Sequence, residues 1–146
     1  MFLGQFRHNL DDKGRLTIPA RFRDLLVAEG AYVMQGFDQN LMVLTLPFFE
    51  TISHKVRQMN MTDPSARLLR RMIFSTAGQV DVDRAGRILI PQFLRQYAGL
   101  DGDAVLVGMG DYFEIWTPEL WSSQVDQYQD AETNAQRFLA LELSSD

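Results

Sequence analysis

Two arginines in this chain each follow an aspartate by four positions and a glycine by one: Asp11-x-x-Gly14-Arg15 and Asp83-x-x-Gly86-Arg87. A guanidinium is planar, permanently charged and carries its donors in a rigid fork. At this spacing it can do one of two things. It can close an ion pair on the aspartate of its own turn. It can also turn outward and donate two hydrogen bonds to the O6/N7 edge of a guanine, a discrimination of about 1–3 kcal/mol. In the second role Asp11 and Asp83 would hold the turns and orient the arginines, since a bare carboxylate facing DNA is repelled. Lys13, Arg7, Arg21, Arg23, Arg84 and Arg95 lie around the two motifs. They could add phosphate contacts, which give affinity and register without reading sequence. Arg23 and Arg95, one turn into a helix, could equally pin a carboxylate.

Other chemistries lack their parts. The chain has two histidines, His8 and His54, and no cysteine. A disulfide framework and a thiolate zinc site are therefore excluded. No Walker loop, Gly-x-Ser-x-Gly elbow or His-Glu-x-x-His occurs. Asp11, Asp12, Asp81 and Asp83 could be imagined as a metal cluster, but the arginines beside them argue otherwise. No enzyme activity, metal or cofactor is expected.

The elements that must position the arginines come in duplicate. With a shift of 72 positions, Asp11, Gly14, Arg15, Ile18, Pro19 and Arg23 fall on Asp83, Gly86, Arg87, Ile90, Pro91 and Arg95. The register continues through Gly30/Gly102, Val33/Val105, Gly36/Gly108, Thr45/Thr117 and Phe49/Trp121. A sustained register of this kind is the mark of an internal repeat. In each copy a strand (Gln5–Leu10, Gln79–Val82) leads into the Asp-x-x-Gly-Arg turn, where glycine supplies positive φ. The return strand (Arg15–Ile18, Arg87–Ile90) is expected to close a hairpin with the arginine at its mouth. Proline then opens a helix with Phe22, Leu25 and Leu26 on its buried face, or Phe93, Leu94 and Tyr97 in the second copy; Gly30 and Gly99 stop it. Strands at 31–36 and 41–46, and at 104–109 and 113–117, follow.

Further helices are expected. One over 47–60 carries Phe48, Ile52, Val56 and Met59 as an apolar stripe. Another opens at Asp63-Pro64, with Leu68, Leu69, Met72 and Ile73 inward and Arg67, Arg70 and Arg71 on the other side. A third starts at Thr117-Pro118, carries Trp121, Val125 and Tyr128, and runs towards Leu143. The fold class is α+β, mostly β. The organisation is a first unit over 5–50, a helical connector over 51–76, a second unit over 77–121, and an acidic helix and tail over 122–146.

Hydrophobic residues make up 46% of the chain and charged residues 23%, enough apolar content for a packed core. The net charge of −5 sits unevenly. Residues 1–100 hold 13 Lys+Arg against 9 Asp+Glu, and residues 101–146 hold 1 against 10. A basic footprint can therefore survive on one face; the acidic stretch by itself reads as a solvated helix. No apolar run is long enough for a membrane span, and no secretion signal is evident at the N-terminus. The expected location is the cytoplasm.

Asp11-x-Lys13-Gly14-Arg15-x-x-x-Pro19, repeated as Asp83-x-x-Gly86-Arg87-x-x-x-Pro91 and followed by Leu94-Arg95-Gln96-Tyr97-Ala98-Gly99-Leu100, resembles the MraZ family. The opening Met1-Phe2-Leu3-Gly4 and the Asp63-Pro64 connector suit it too. The resemblance implies a duplicated AbrB-like swapped-hairpin (double-psi-like) β-barrel within one chain, with flanking helices. It implies a transcription regulator on the nucleoid whose subunits assemble into a ring. The ring binds short direct repeats in double-stranded DNA upstream of the division and cell-wall gene cluster. The family's Asp-x-x-x-Arg residues map onto Asp11 and Arg15 and onto Asp83 and Arg87, which favours DNA contact over an internal bridge. A related alternative is an AbrB-like antitoxin, a swapped dimer with a toxin-binding tail; the tandem duplication weighs against it.

Overall fold

A computed structural model describes residues 1–143. Its strands are β1 (Gln5–Asn9), β2 (Arg15–Thr17), β3 (Ala31–Gln35), β4 (Leu41–Thr45), β5 (Gly78–Val80), β6 (Arg87–Leu89), β7 (Asp103–Gly108) and β8 (Tyr112–Trp116). Its helices are α1 (Ala20–Glu29), α2 (Leu46–Arg57), α3 (Pro64–Thr76), α4 (Gln92–Ala98), α5 (Pro118–Gln129) and α6 (Ala131–Leu139). The chain is α+β, but the expectation of a mostly β protein fails: helix takes 44% and strand 27%. The return strands after the turns are only three residues long, while the connector and the C-terminal segment are helical over most of their length.

The expected local hairpins are also absent. Strand β1 meets β2 only through an isolated Leu10–Leu16 bridge. Instead β2 pairs antiparallel with β6 as a separate two-stranded ribbon, β1 pairs with β7, and β5 pairs with β3. Each lead-in strand is thus taken up by the other half of the chain. The remaining pairs, β3–β4, β4–β8 and β7–β8, complete an open antiparallel sheet of order β1-β7-β8-β4-β3-β5. The two pairings of equivalent strands are centred on equivalent residues, Leu16 opposite Ile88 and Met42 opposite Glu114. A two-fold relation between the halves requires that arrangement.

Period-two alternation gives the sheet two apolar faces. Val33, Leu41, Val43, Leu106, Phe113 and Ile115 face the ribbon's Leu16 and Ile88 together with Phe22, Leu26 and Leu94 of α1 and α4. This core draws on both halves. Burying side chains such as Leu16 and Ile88 stabilises the fold by about 1.5–3 kcal/mol each. On the other face Met34, Met42 and Leu44 meet α2 and α3, and Val105, Val107 and Trp116 meet α5.

Most expected helix faces are packed, but four residues of those faces point out. Leu68, Phe93 and Tyr128 are exposed, and Met59 lies beyond the end of α2 and is exposed as well. The single helix expected towards Leu143 is interrupted at Asp130, whose carboxylate accepts hydrogen bonds from Glu132 N and Thr133 N and so caps a new helix, α6.

Candidate nucleic-acid interface

Each turn is built by its aspartate. Asp11 Oδ1 accepts hydrogen bonds from Lys13 N at 3.0 Å and Arg15 N at 2.8 Å. Asp83 Oδ1 accepts from Ala85 N and Arg87 N, both at 2.9 Å. The backbone closes around this: Asp11 N donates to Arg15 O at 2.9 Å, and Asp83 N to Arg87 O at 2.8 Å. Gly14 and Gly86 take φ of +87° and +78°, a region that costs a side-chain-bearing residue about 1–3 kcal/mol. The two turns are laced together, because Ile18 N donates to Gly86 O and Ile90 N to Gly14 O, each at 2.9 Å.

The second carboxylate oxygen of each aspartate holds the arginine. Asp11 Oδ2 accepts from Arg15 Nε at 2.9 Å, and Asp83 Oδ2 accepts from Arg87 Nε at 3.1 Å. Arg87 Nη1 also lies 3.5 Å from Asp11 Oδ2, joining the turns. These side chains remain 34% and 31% exposed. An ion pair this open is worth only about 0–1 kcal/mol, so its use is orientation rather than stability. The hydrogen bonds from the Arg15 and Arg87 backbone amides, helped by the guanidiniums, hold both carboxyls below the ordinary range. Both stay ionised at neutral pH.

On the ribbon, residues directly opposite share a face. Leu16 and Ile88 point into the core; Arg15, opposite Leu89, and Arg87, opposite Thr17, point out. The Asp grip occupies Nε of Arg15, and among the described residues no partner engages its two terminal nitrogens. Lys13 and Arg84 stand exposed at the turn tips, without ion pairs among the described residues. Arg7 is not brought to this cluster: it pairs with Asp103 at 2.9 Å on the neighbouring strand β7. Arg21 lies exposed at the start of α1.

Arg23 and Arg95 cross between the halves, a placement the sequence reading does not anticipate. Arg95 lies over Gly14, where a Cβ would stand 2.5 Å from its Nε, and Arg23 lies over Gly86, where a Cβ would clash with its Nη1. Arg95 Nε donates to Ile90 O at 3.0 Å, and neither arginine pins a carboxylate among the described residues. Their recurrence at the same distance after each glycine was a signal that they serve the turns. Thr17 and Leu89 were missed as surface residues of the ribbon; strict alternation about Leu16 and Ile88 could have found them.

Fold and site together define an α+β protein of two interleaved halves that presents paired, carboxylate-braced arginines on an exposed ribbon. A family model described as "MraZ protein, putative antitoxin-like" matches it twice, over residues 1–72 and 73–141. Similar proteins named "Transcriptional regulator MraZ" occur in Thermomicrobium roseum, 46% identical over 86% of this chain and 88% of that protein. One from Herpetosiphon aurantiacus is 44% identical over 89% and 90%. One from Desulfitobacterium hafniense is 42% identical over 95% and 96%. The chain belongs to the MraZ family, a family of regulators and not of enzymes.

Proposed function

We propose that this chain regulates transcription by inserting the outer face of the β2–β6 ribbon into the DNA major groove. The groove, about 12 Å wide, admits a two-stranded ribbon. Arg15 reads a guanine edge with both terminal nitrogens and Arg87 with its Nη2, while Asp11 and Asp83 fix the guanidiniums through Nε and Asp11 also faces Arg87 Nη1. Lys13 and Arg84, at the turn tips, contact phosphates on either side; Arg7, engaged by Asp103, is left out of the contact set. The observation that carries this reading is the pair of one-third-exposed arginines, each held by its own aspartate on the outward side of the ribbon.

The exchange of lead-in strands supports treating the chain as two AbrB-like swapped-hairpin units, over 5–50 and 77–121, with the connector 51–76 between them and 122–146 as a tail. Two arginines per subunit give few base contacts. Linked subunits raise the effective affinity by about 10²–10⁴ without new contacts, so a ring-like homo-oligomer on direct repeats fits this economy. The regulated promoter is the one upstream of the division and cell-wall gene cluster, and the working location is the nucleoid. The family description, which includes the word antitoxin, favours one second reading: a dimeric repressor with a toxin-binding tail. Solution mass separates the two.

The test is selection of bound DNA from a random pool, followed by binding to the enriched boxes at fixed salt. Repeated guanine-containing boxes are expected. Arg15→Ala is expected to abolish sequence-specific binding with the assembly mass unchanged, and Arg15→Lys to lose about 1–3 kcal/mol, since a point charge cannot make the forked contact. Wild-type affinity in the alanine variant would refute the assignment.

A further inference from the structure

Helices α2 and α3 enclose a groove of about 530 Å³ lined by Arg57, Arg67, Arg70, Arg71 and Phe74. Arg67 Nη1 donates to Met61 O, yet none of the four guanidiniums is in an ion pair among the described residues. Four like charges around one aromatic wall call for an anionic, partly apolar occupant. The groove belongs to the helical layer on the face of the sheet formed by Met34, Met42 and Leu44, whereas the ribbon covers the opposite face. A duplex lying on the ribbon is therefore separated from it by the whole sheet.

The chain itself carries a segment of matching chemistry. Residues 101–146 hold ten acidic side chains and a single basic one, Arg137. Helix α6 packs on α5 and contributes no buried residue. It leaves Phe138 46% and Leu139 79% exposed, with Leu141 beyond them also exposed, between Glu132 and Glu142. Its position after α5 parallels that of α3 after α2. Yet α3 is docked on the sheet through Leu69, Met72 and Ile73, and α6 is not.

We infer that the arginine groove receives the acidic C-terminal helix of a second copy of this chain. Phe138 and Leu139 would lie against Phe74 and the aliphatic stems of the arginines, while Glu132 and Glu142 meet the guanidiniums and set the register. The contact uses two different surfaces, groove on one subunit and tail on the next, so it propagates head to tail and closes into a ring where the rotation allows. It leaves every ribbon free on the other face of its sheet. This inference rests on the self-assembly part of the proposed function and is independent of how DNA is read.

The test measures solution mass by light scattering, at matched concentration and in low and high salt, with full-length variants of surface residues. Arg70→Glu with Arg71→Glu reverses the groove; Glu132→Lys with Glu142→Lys reverses the tail. Each pair is expected to lower the mass at least two-fold with an unchanged circular dichroism spectrum, and all four changes in one chain to restore it. Retention of the wild-type mass by both paired variants, or no recovery in the fourfold variant, would overturn the inference. So would a groove variant that keeps its mass but loses DNA affinity, which would make the groove a nucleic-acid surface. A wild-type protein that is monomeric throughout would instead remove the self-assembly reading itself.

Discussion

Carboxyl groups in this molecule titrate in opposite directions, and the difference follows from what surrounds each one. Asp11 and Asp83 accept backbone amides from Arg15 and Arg87, and this lowers their pKa from the ordinary 3.8. What they contribute to stability is therefore present above that ordinary value and lost as pH falls through their lowered native values. Glu114 lies on β8 among Met42, Val107 and Trp116, and its burial raises its pKa from 4.5 even though the Trp116 indole donates to Oε1 at 3.0 Å. Its contribution has the reverse sign: present below 4.5 and lost as pH rises through the raised native value. Glu114→Gln keeps an acceptor for the indole and removes the buried charge. Thermal unfolding is expected at a higher temperature than wild type at pH 7.5, with the difference shrinking towards pH 4.5. A difference that is constant with pH, or that grows on acidification, would show that burial does not govern this group.

At the scale of elements, the ribbon is nearly symmetric, and the departure from symmetry sits on the face proposed to meet DNA. Leu16 opposes its equivalent Ile88, and the arginines flank them on opposite strands. Arg15 faces Leu89, however, while Arg87 faces Thr17, and these two neighbours are themselves equivalent positions at the 72-residue shift. Leucine offers apolar contact to a thymine methyl, and threonine a hydroxyl to either base. A box should therefore be bound in one orientation. Exchanging the pair, Thr17→Leu with Leu89→Thr, is expected to invert that orientation as read by cleavage from a probe attached at one turn; an unchanged cleavage pattern would deny these residues the role. The sequence makes the turns legible because Asp, Gly and Arg each answer a local demand, and the helix starts because proline and the capping residues do. Strand partners are not legible: three-residue strands carry little register information of their own, and their pairing is settled by contacts between residues 45 to 74 apart. Phe2 shows the same limit. Nothing local marks it as core, yet its ring packs 5.1 Å from Phe22 and 5.2 Å from Phe113. The break at Asp130 was legible in principle, since an aspartate before Ala-Glu-Thr is a helix cap.

For the molecule as a whole, a net charge of −5 conflicts with a DNA partner only if charge is averaged. The sheet places the ribbon and its turn-tip cations on one face and the helical layer that ends in α5 on the other. Screening at physiological salt limits exposed charges to about 8 Å, so carboxylates across a sheet and its packed side chains do little to the field at the ribbon. Binding should then respond to salt as a cationic surface does, with log K falling linearly in log salt at a slope of about −0.9 per phosphate neutralised. Lys13→Ala and Arg84→Ala each remove one proposed phosphate contact per engaged subunit, and each is expected to flatten the slope by about one unit per subunit while preserving the ranking of DNA sequences. Arg15→Ala is expected to erase the ranking. Measured across a salt series on one selected and one scrambled duplex, equal loss of ranking in all three variants would mean that the turn tips and the ribbon face do not divide affinity from specificity as their positions imply.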